Sequence, residues 1–179
     1  MKSNTQAVGF LLLFAFLFAF CFNSCSPATP DCFAYTGGAF KAQVSGEIDG
    51  EKFDATLHFD PSATGNQPVR SVRFGSPSYM SGICVSTLSD GSSSARLGDI
   101  SVDGVDFERF TSPLSVICSP HDITRIQKNE NGTIVALVEN EDISLEFVFD
   151  SNVNPTPQSI QGSVNGCKIT VTVKNFEKK

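Results

Sequence analysis

The feature that most constrains this chain is a pair of strictly alternating runs joined by a two-residue turn. Phe40, Ala42, Val44, Gly46 and Ile48 alternate with Lys41, Gln43, Ser45 and Glu47, the period-two signature of a strand with one buried face. Beyond Asp49-Gly50, Phe53, Ala55, Leu57 and Phe59 alternate with Asp54, Thr56, His58 and Asp60. An Asp-Gly pair supplies the positive φ that a type I′ turn demands at both central positions, so the two runs read as an antiparallel hairpin. The device recurs at Asp90-Gly91, Asp103-Gly104, Asn131-Gly132 and Asn165-Gly166. Turns this short make successive strands neighbours, which predicts a meander.

Further strands are expected near Val69 to Phe74, Ile83 to Leu88, Ala95 to Val102, Ile123 to Lys128, Thr133 to Glu139, Ile143 to Phe149, Ile160 to Val164 and Cys167 to Val173. Ile143, Leu145, Phe147 and Phe149 make another one-face series opposite Ser144, Glu146 and Val148. Pro155 and Pro157 read as a loop, because neither offers the N–H a central strand donates. Phe110, Leu114 and Ile117 recur at i, i+4 and i+7, which suits a short helix with Ser112 as N-cap and Pro113 at its first position. A second helix can begin after Ser76-Pro77, since 78–81 is too polar for a core strand. The expectation is a mostly-β single domain over 40–179. A curved antiparallel sheet, or half-barrel, with one or two short helices would bury one face, and a β-sandwich is the alternative.

The N-terminus addresses the compartment. Ala7 to Phe22 is an unbroken apolar run of 16 residues preceded by Lys2. As a helix it would reach about 24 Å, short of the hydrocarbon core of a bilayer, so 1–24 reads as an export signal. Ser24-Cys25 places a small residue before a thiol, as in a bacterial lipoprotein signal, while Cys21 follows the bulky Phe20 inside the apolar run. Phe22 and Asn23 depart from the commonest such pattern. Cys25 is therefore the expected lipid-attachment residue, and two acyl chains on it would give stable membrane attachment. Residues 25–39 read as a tether, and the expected location is the cell membrane, exposed outside the cytoplasm. The alternative is a secreted protein cut near Ser24 or Ala28.

Export makes the remaining cysteines, Cys32, Cys84, Cys118 and Cys167, disulfide candidates with three possible pairings. None lies close enough in sequence to another for a redox or zinc motif. A formal charge of -6 excludes a basic nucleic-acid binder. Asp99, Ser101 and Asp103 resemble the start of a calcium loop, but Phe110 stands where a bidentate Glu is required, so neither a metal nor another cofactor is expected. His58 alternates outward on its strand and His121-Asp122 reads as turn chemistry after Ser119-Pro120. No nucleophile, base and orienter can be assembled from these residues, which points to a non-enzyme. Asn131-Gly132-Thr133 is a glycosylation sequon that doubles as a hairpin turn.

In outline, residues 40–176 resemble the bacterial lipoprotein-carrier group related to LolA and LolB. The resemblance rests on the opening hairpin Phe40 to Phe59, the strand Val69 to Phe74 leading into Ser76-Pro77, and Ser81-Gly82-Ile83-Cys84-Val85. It continues with the Ser112-Pro113-Leu114 stretch, the ending Leu145-Glu146-Phe147, a Pro-containing loop, and Ile169 to Phe176. Small exported bacterial lipoproteins look like this too. The resemblance implies a half-barrel closed by helices around an apolar cavity for a lipid-like or other hydrophobic ligand. Phe53, Leu57, Phe59, Phe74, Ile100 and Val102 are its expected inward-facing ligand residues. The other reading is a structural or interaction domain with a filled core, whose partner is another envelope protein. Cell fractionation tests the anchor: wild type should sediment with membranes and Cys25→Ser should become soluble, and an unchanged distribution would remove Cys25 as the attachment point.

Overall fold

The computed structural model describes residues 31–103, 108–150 and 154–179, with backbone alone at 108–110. Residues 1–30, which hold the expected signal and Cys25, lie outside the described residues. Eleven strands form one sheet: β1 (Phe40–Ile48), β2 (Glu51–Phe59), β3 (Arg70–Ser76), β4 (Cys84–Thr87), β5 (Ser93–Leu97), β6 (Ile100–Asp103), β7 (Arg125–Lys128), β8 (Ile134–Glu139), β9 (Ile143–Phe149), β10 (Pro157–Val164) and β11 (Cys167–Lys178). Their order is β6-β5-β4-β3-β2-β1-β11-β10-β9-β8-β7 and every pairing is antiparallel. The sheet is curved and open, the half-barrel rather than the sandwich. Successive strands are neighbours throughout two meanders, β1 to β6 and β7 to β11, as the short turns predict. The two meanders are joined by β1 against β11.

Directly paired residues share a face of the sheet, so the register can be read as rows crossing it. One inner row runs Val102, Ala95, Val85, Val72, Leu57, Ala42, Phe176 across seven strands. Another runs Phe53, Gly46, Val171, Ile160, Phe147, Ala136, Ile126. The type I′ expectation holds at Asp49-Gly50 (φ 50° and 86°) and Asn165-Gly166 (φ 50° and 79°).

Two strand glycines sit where neighbouring backbones approach too closely for a side chain. A Cβ on Gly46 would run into the Thr170 carbonyl, and one on Gly162, whose φ is +141°, into the Ser144 carbonyl. Glycine inside a strand marks such an approach, and glycine kinks are how a sheet is bent tightly enough to wrap a core. Bulges between Gln43 and Val44 and between Asp54 and Ala55 add to the coiling.

Several expectations are corrected. Ala95 to Val102 is not one strand: Gly98-Asp99 turns the chain between β5 and β6, with φ +59° at Gly98. The apolar positions shift there from odd (Ala95, Leu97) to even (Ile100, Val102), and a continuous strand cannot keep both sets on one face. The hairpin expected at Asp103-Gly104 runs into residues outside those described. Among the described residues β6 pairs with β5 alone and is an edge of the sheet, and Gly104 itself lies outside the described residues.

The helix, α1, spans Glu108–Ser115 and contains Pro113 instead of starting at it, so Ser112 is not its N-cap. A 3₁₀ turn, Val116–Cys118, continues it. Pro113 forfeits the bond to the backbone carbonyl four residues earlier, a loss of about 3 kcal/mol. Burial of Leu114, Val116, Ile117 and Cys118, at about 1.5–3 kcal/mol for each large side chain, outweighs it. No second helix follows Ser76-Pro77: Met80 N–H donates to the Pro77 carbonyl (2.9 Å) and Ile83 N–H to the Met80 carbonyl (3.0 Å), turns that sink Met80 into the core. Pro157 opens β10 instead of lying in a loop, a place where a strand tolerates proline.

The body also starts earlier than Phe40. Cys32, Phe33, Tyr35 and Thr36 are buried around a 3₁₀ turn, Ala34–Gly37, so the stretch expected as tether is core from Cys32 onward. Of the four disulfide candidates, Cys84 and Cys118 carry free thiols. Cys84 alternates with the inward Val85 and so faces outward, whereas Cys32 and Cys118 belong to the core. No helix among the described residues is long and apolar enough to cross a membrane.

Gly162→Ala should lower the unfolding free energy by about 1–3 kcal/mol through the forced displacement of β9, with Gly46→Ala comparable. Urea titration checks this, and midpoints matching wild type would show that the strands can separate without loss.

Candidate binding surface

The six residues expected to line a cavity do not gather at one. Phe53, Leu57 and Phe74 face inward but are fully buried in the core. Phe59 is partly buried, with its ring 5.3 Å from that of Phe40. Ile100 and Val102, expected to be inward and covered, are 69% and 50% exposed. They lie on the inner face, but at an edge that no described element covers.

What fills the inner face is the segment Cys32–Thr36 together with α1 and the 3₁₀ turn behind it. Phe33 stands edge-on to Phe147 (5.2 Å), Phe149 (5.6 Å) and the His121 ring (5.3 Å). Tyr35 packs against Phe40 (5.6 Å) and Phe176 (5.4 Å), edge geometries favourable for aromatic pairs. Its hydroxyl donates to the Ile117 carbonyl at 2.8 Å, which ties the N-terminal segment to the 3₁₀ turn. Burial pushes the Tyr35 hydroxyl far above its ordinary pKa, with the neighbouring Cys118 and Cys32 thiols adding to it. Burial likewise pushes Cys118 up to about 12 against the pull of Arg70, and Cys32 is raised by burial and by Asp31. A thiol held protonated is a poor nucleophile, and these act as core residues.

The uncovered end of the inner face is built from the β5–β6 hairpin. Along the row Val85, Ala95, Val102, exposure climbs from 4% through 8% to 50%. Leu97, paired with Ile100, is 51% exposed. Leu97 Cδ1 lies 3.3 Å from where a Cβ on Gly82 would stand, so the turn that carries the exposed Tyr79 borders the patch on its β4 side. Sequence reasoning assigned Ile100 and Val102 but missed Leu97 and Tyr79. The parity change at Gly98-Asp99 was the available signal for Leu97, since it places that residue beside Ile100 across a tight turn.

A second concavity, about 540 Å³, lies beside α1 and is lined by Ser112, Ser115, Ser119, His121, Glu141 and Asp142 among others. Two of its hydroxyls are committed to the backbone: Ser115 Oγ donates to the Ser112 carbonyl (2.6 Å) and Ser119 Oγ to that of Ser115 (3.4 Å). His121 Nε2 lies 2.9 Å from the Val116 carbonyl. These serines and His121 are therefore held by main chain rather than by one another, which is not the geometry of an activated nucleophile. His58 is exposed on the outer face, held below its ordinary pKa by desolvation and then by Lys179, Lys41 and Arg73. Among the described residues no group of three His, Cys, Asp or Glu is placed to hold a metal ion.

No protein-family profile and no curated protein matches the chain. Among solved structures, the fold is shared with an uncharacterized conserved protein from Thermus thermophilus, at TM-score 0.52, 14% identity and 83% coverage of each chain. A LolA superfamily protein from Nitrosomonas europaea, of the group the sequence resembles, aligns at TM-score 0.44 and 9% identity over 79% of this chain and 86% of that one. An outer membrane lipoprotein-sorting domain from Vibrio parahaemolyticus aligns at TM-score 0.38 and 7% identity over the same shares.

Tyr35→Phe should destabilise the fold by about 1–3 kcal/mol, because it leaves the buried Ile117 carbonyl without its donor. Thermal unfolding of the purified variant reads this directly, and an unchanged melting temperature would show that the bond contributes nothing net.

Proposed function

We propose that this protein is an exported, lipid-anchored binding module that holds a lipid-like apolar ligand against the uncovered end of its inner face. The observation that carries the reading is the exposure of Leu97, Ile100 and Val102 on the same face that is buried from Ala95 inward. An apolar patch continuous with a core costs solvation until something covers it, and such patches mark binding surfaces. A ligand acyl chain laid along it gains about 0.8 kcal/mol per methylene removed from water, before the cost of ordering. Phe53, Leu57, Phe59 and Phe74 then serve as the packed wall behind the site, while Ile100 and Val102 make the contact. The Cys25 anchor would keep the site near the membrane, where lipid ligands reside.

A second reading, a cell-envelope interaction domain with a filled core, is favoured by one observation. Phe33, Tyr35, Leu114 and Ile117 occupy the centre of the half-barrel, where the lipoprotein-carrier resemblance implies a cavity.

A fluorescent fatty acid separates the two. The detergent-free Cys25→Ser chain should bind it with blue-shifted emission, and Ile100→Ser/Val102→Ser should weaken binding at least tenfold while leaving the melting temperature near wild type. Binding that ignores the double substitution, or no binding at all, would favour the filled interaction domain.

A further inference from the structure

The two edges of the sheet are built differently. At one end, β7 reads Arg-Ile-Gln-Lys from Arg125 to Lys128, and cations on an edge strand oppose further strand pairing. At the other, β6 is exposed at all four residues, Ile100 to Asp103, and holds no cation. The β5–β6 hairpin closes on Leu97 and Ile100 around a two-residue turn. Ile100 and Val102 therefore exchange main-chain bonds with β5, while the N–H and C=O of Ser101 point away from the sheet. The β6 edge thus offers main-chain groups, two exposed β-branched apolar side chains on the inner face, Ser101 and Asp103 on the outer face, and Asp99 in the adjoining turn.

We infer that β6 accepts an added antiparallel strand from a partner polypeptide in which apolar residues alternate with polar ones and Lys or Arg occupies both flanks. The inner-face residues of that strand cover Ile100 and Val102, and its flanking cations oppose Asp99 and Asp103. Pairing with β6 of a second copy is disfavoured, because an antiparallel register centred on Ser101 sets Asp99 of each copy against Asp103 of the other, and like charges directly opposite destabilise a ladder. Main-chain hydrogen bonds supply affinity in this mode, and alternate side chains supply specificity. The inference goes beyond the apolar-ligand reading, since it depends on the backbone of Ser101 and on carboxylates that a fatty acid does not require.

The test uses the exported full chain and a fluorescein-labelled peptide, Lys-Val-Thr-Ile-Arg, followed by fluorescence anisotropy. The wild type should bind it and bind a Glu-flanked version at least tenfold more weakly. Ser101→Pro removes only an outward N–H at an edge that tolerates proline, and it should abolish peptide binding while leaving fatty-acid binding unchanged. Asp99→Lys/Asp103→Lys should invert the preference between the two peptides, which keeps the test open if the proline variant folds poorly. Peptide binding that is absent, or indifferent to both changes, overturns the inference. So does concentration-dependent self-association lost on Arg125→Glu, which would make β7 of a second copy the occupant.

Discussion

The rest of the structure depends on the pairing of β1 with β11. Every other strand pair joins neighbours in sequence, but this one brings together segments about 130 residues apart, so its loop-closure entropy is the largest in the fold. Specific bonds fasten both ends of the pair. Asp49 N–H donates to the Lys168 carbonyl at 2.9 Å, and Lys168 N–H returns a bond to Asp49 Oδ1 at 2.8 Å. At the far end Lys179 N–H donates to the Ala39 carbonyl at 2.9 Å. Lys174 reaches across β1 to Asp54 of β2 at 2.7 Å, an exposed pair that fixes register more than it adds stability. Gly46 lets the two backbones close at the centre, where any side chain would collide with Thr170.

Once that seam is made, the inner face of the long meander pair forms a trough, and the chain's own N-terminal segment fills its middle. Phe33 and Tyr35 meet Phe40, Phe147, Phe149 and Phe176 there, with α1 and its 3₁₀ turn completing the fill. The filling is uneven. The described elements cover the inner face as far as Val85 and Ala95, and leave Leu97, Ile100 and Val102 at the edge exposed. Exposed apolar surface on the inner face therefore lies at one margin of the half-barrel, while its centre is filled.

The chemistry of that margin follows from what the filled centre excludes. The buried thiols and the Tyr35 hydroxyl are held protonated by desolvation, and Ser115 and Ser119 give their hydroxyl protons to main-chain carbonyls. These five groups are thus neutral or committed to structure, while the exposed hairpin presents apolar surface and carboxylates.

The alternation in Phe40 to Phe59 and Ile143 to Phe149, with Gly at most of the short turns, determined nearly every strand and its neighbours, because period two and the φ demands of tight turns are local properties. It also determined which face of each strand is apolar. The break at Gly98-Asp99 was legible as a parity change, although a continuous strand was the simpler reading of Ala95 to Val102. Only the tertiary structure decided that Phe53, Leu57 and Phe74 line a filled interior while Ile100 and Val102 face water, that Pro113 sits inside a helix, and that Cys32 to Thr36 is core and not tether. Inward apolar residues look the same in sequence whether a cavity, a packed segment or solvent lies opposite them. What lies opposite is set by a partner distant in the chain, and period-two patterning carries no information about distance.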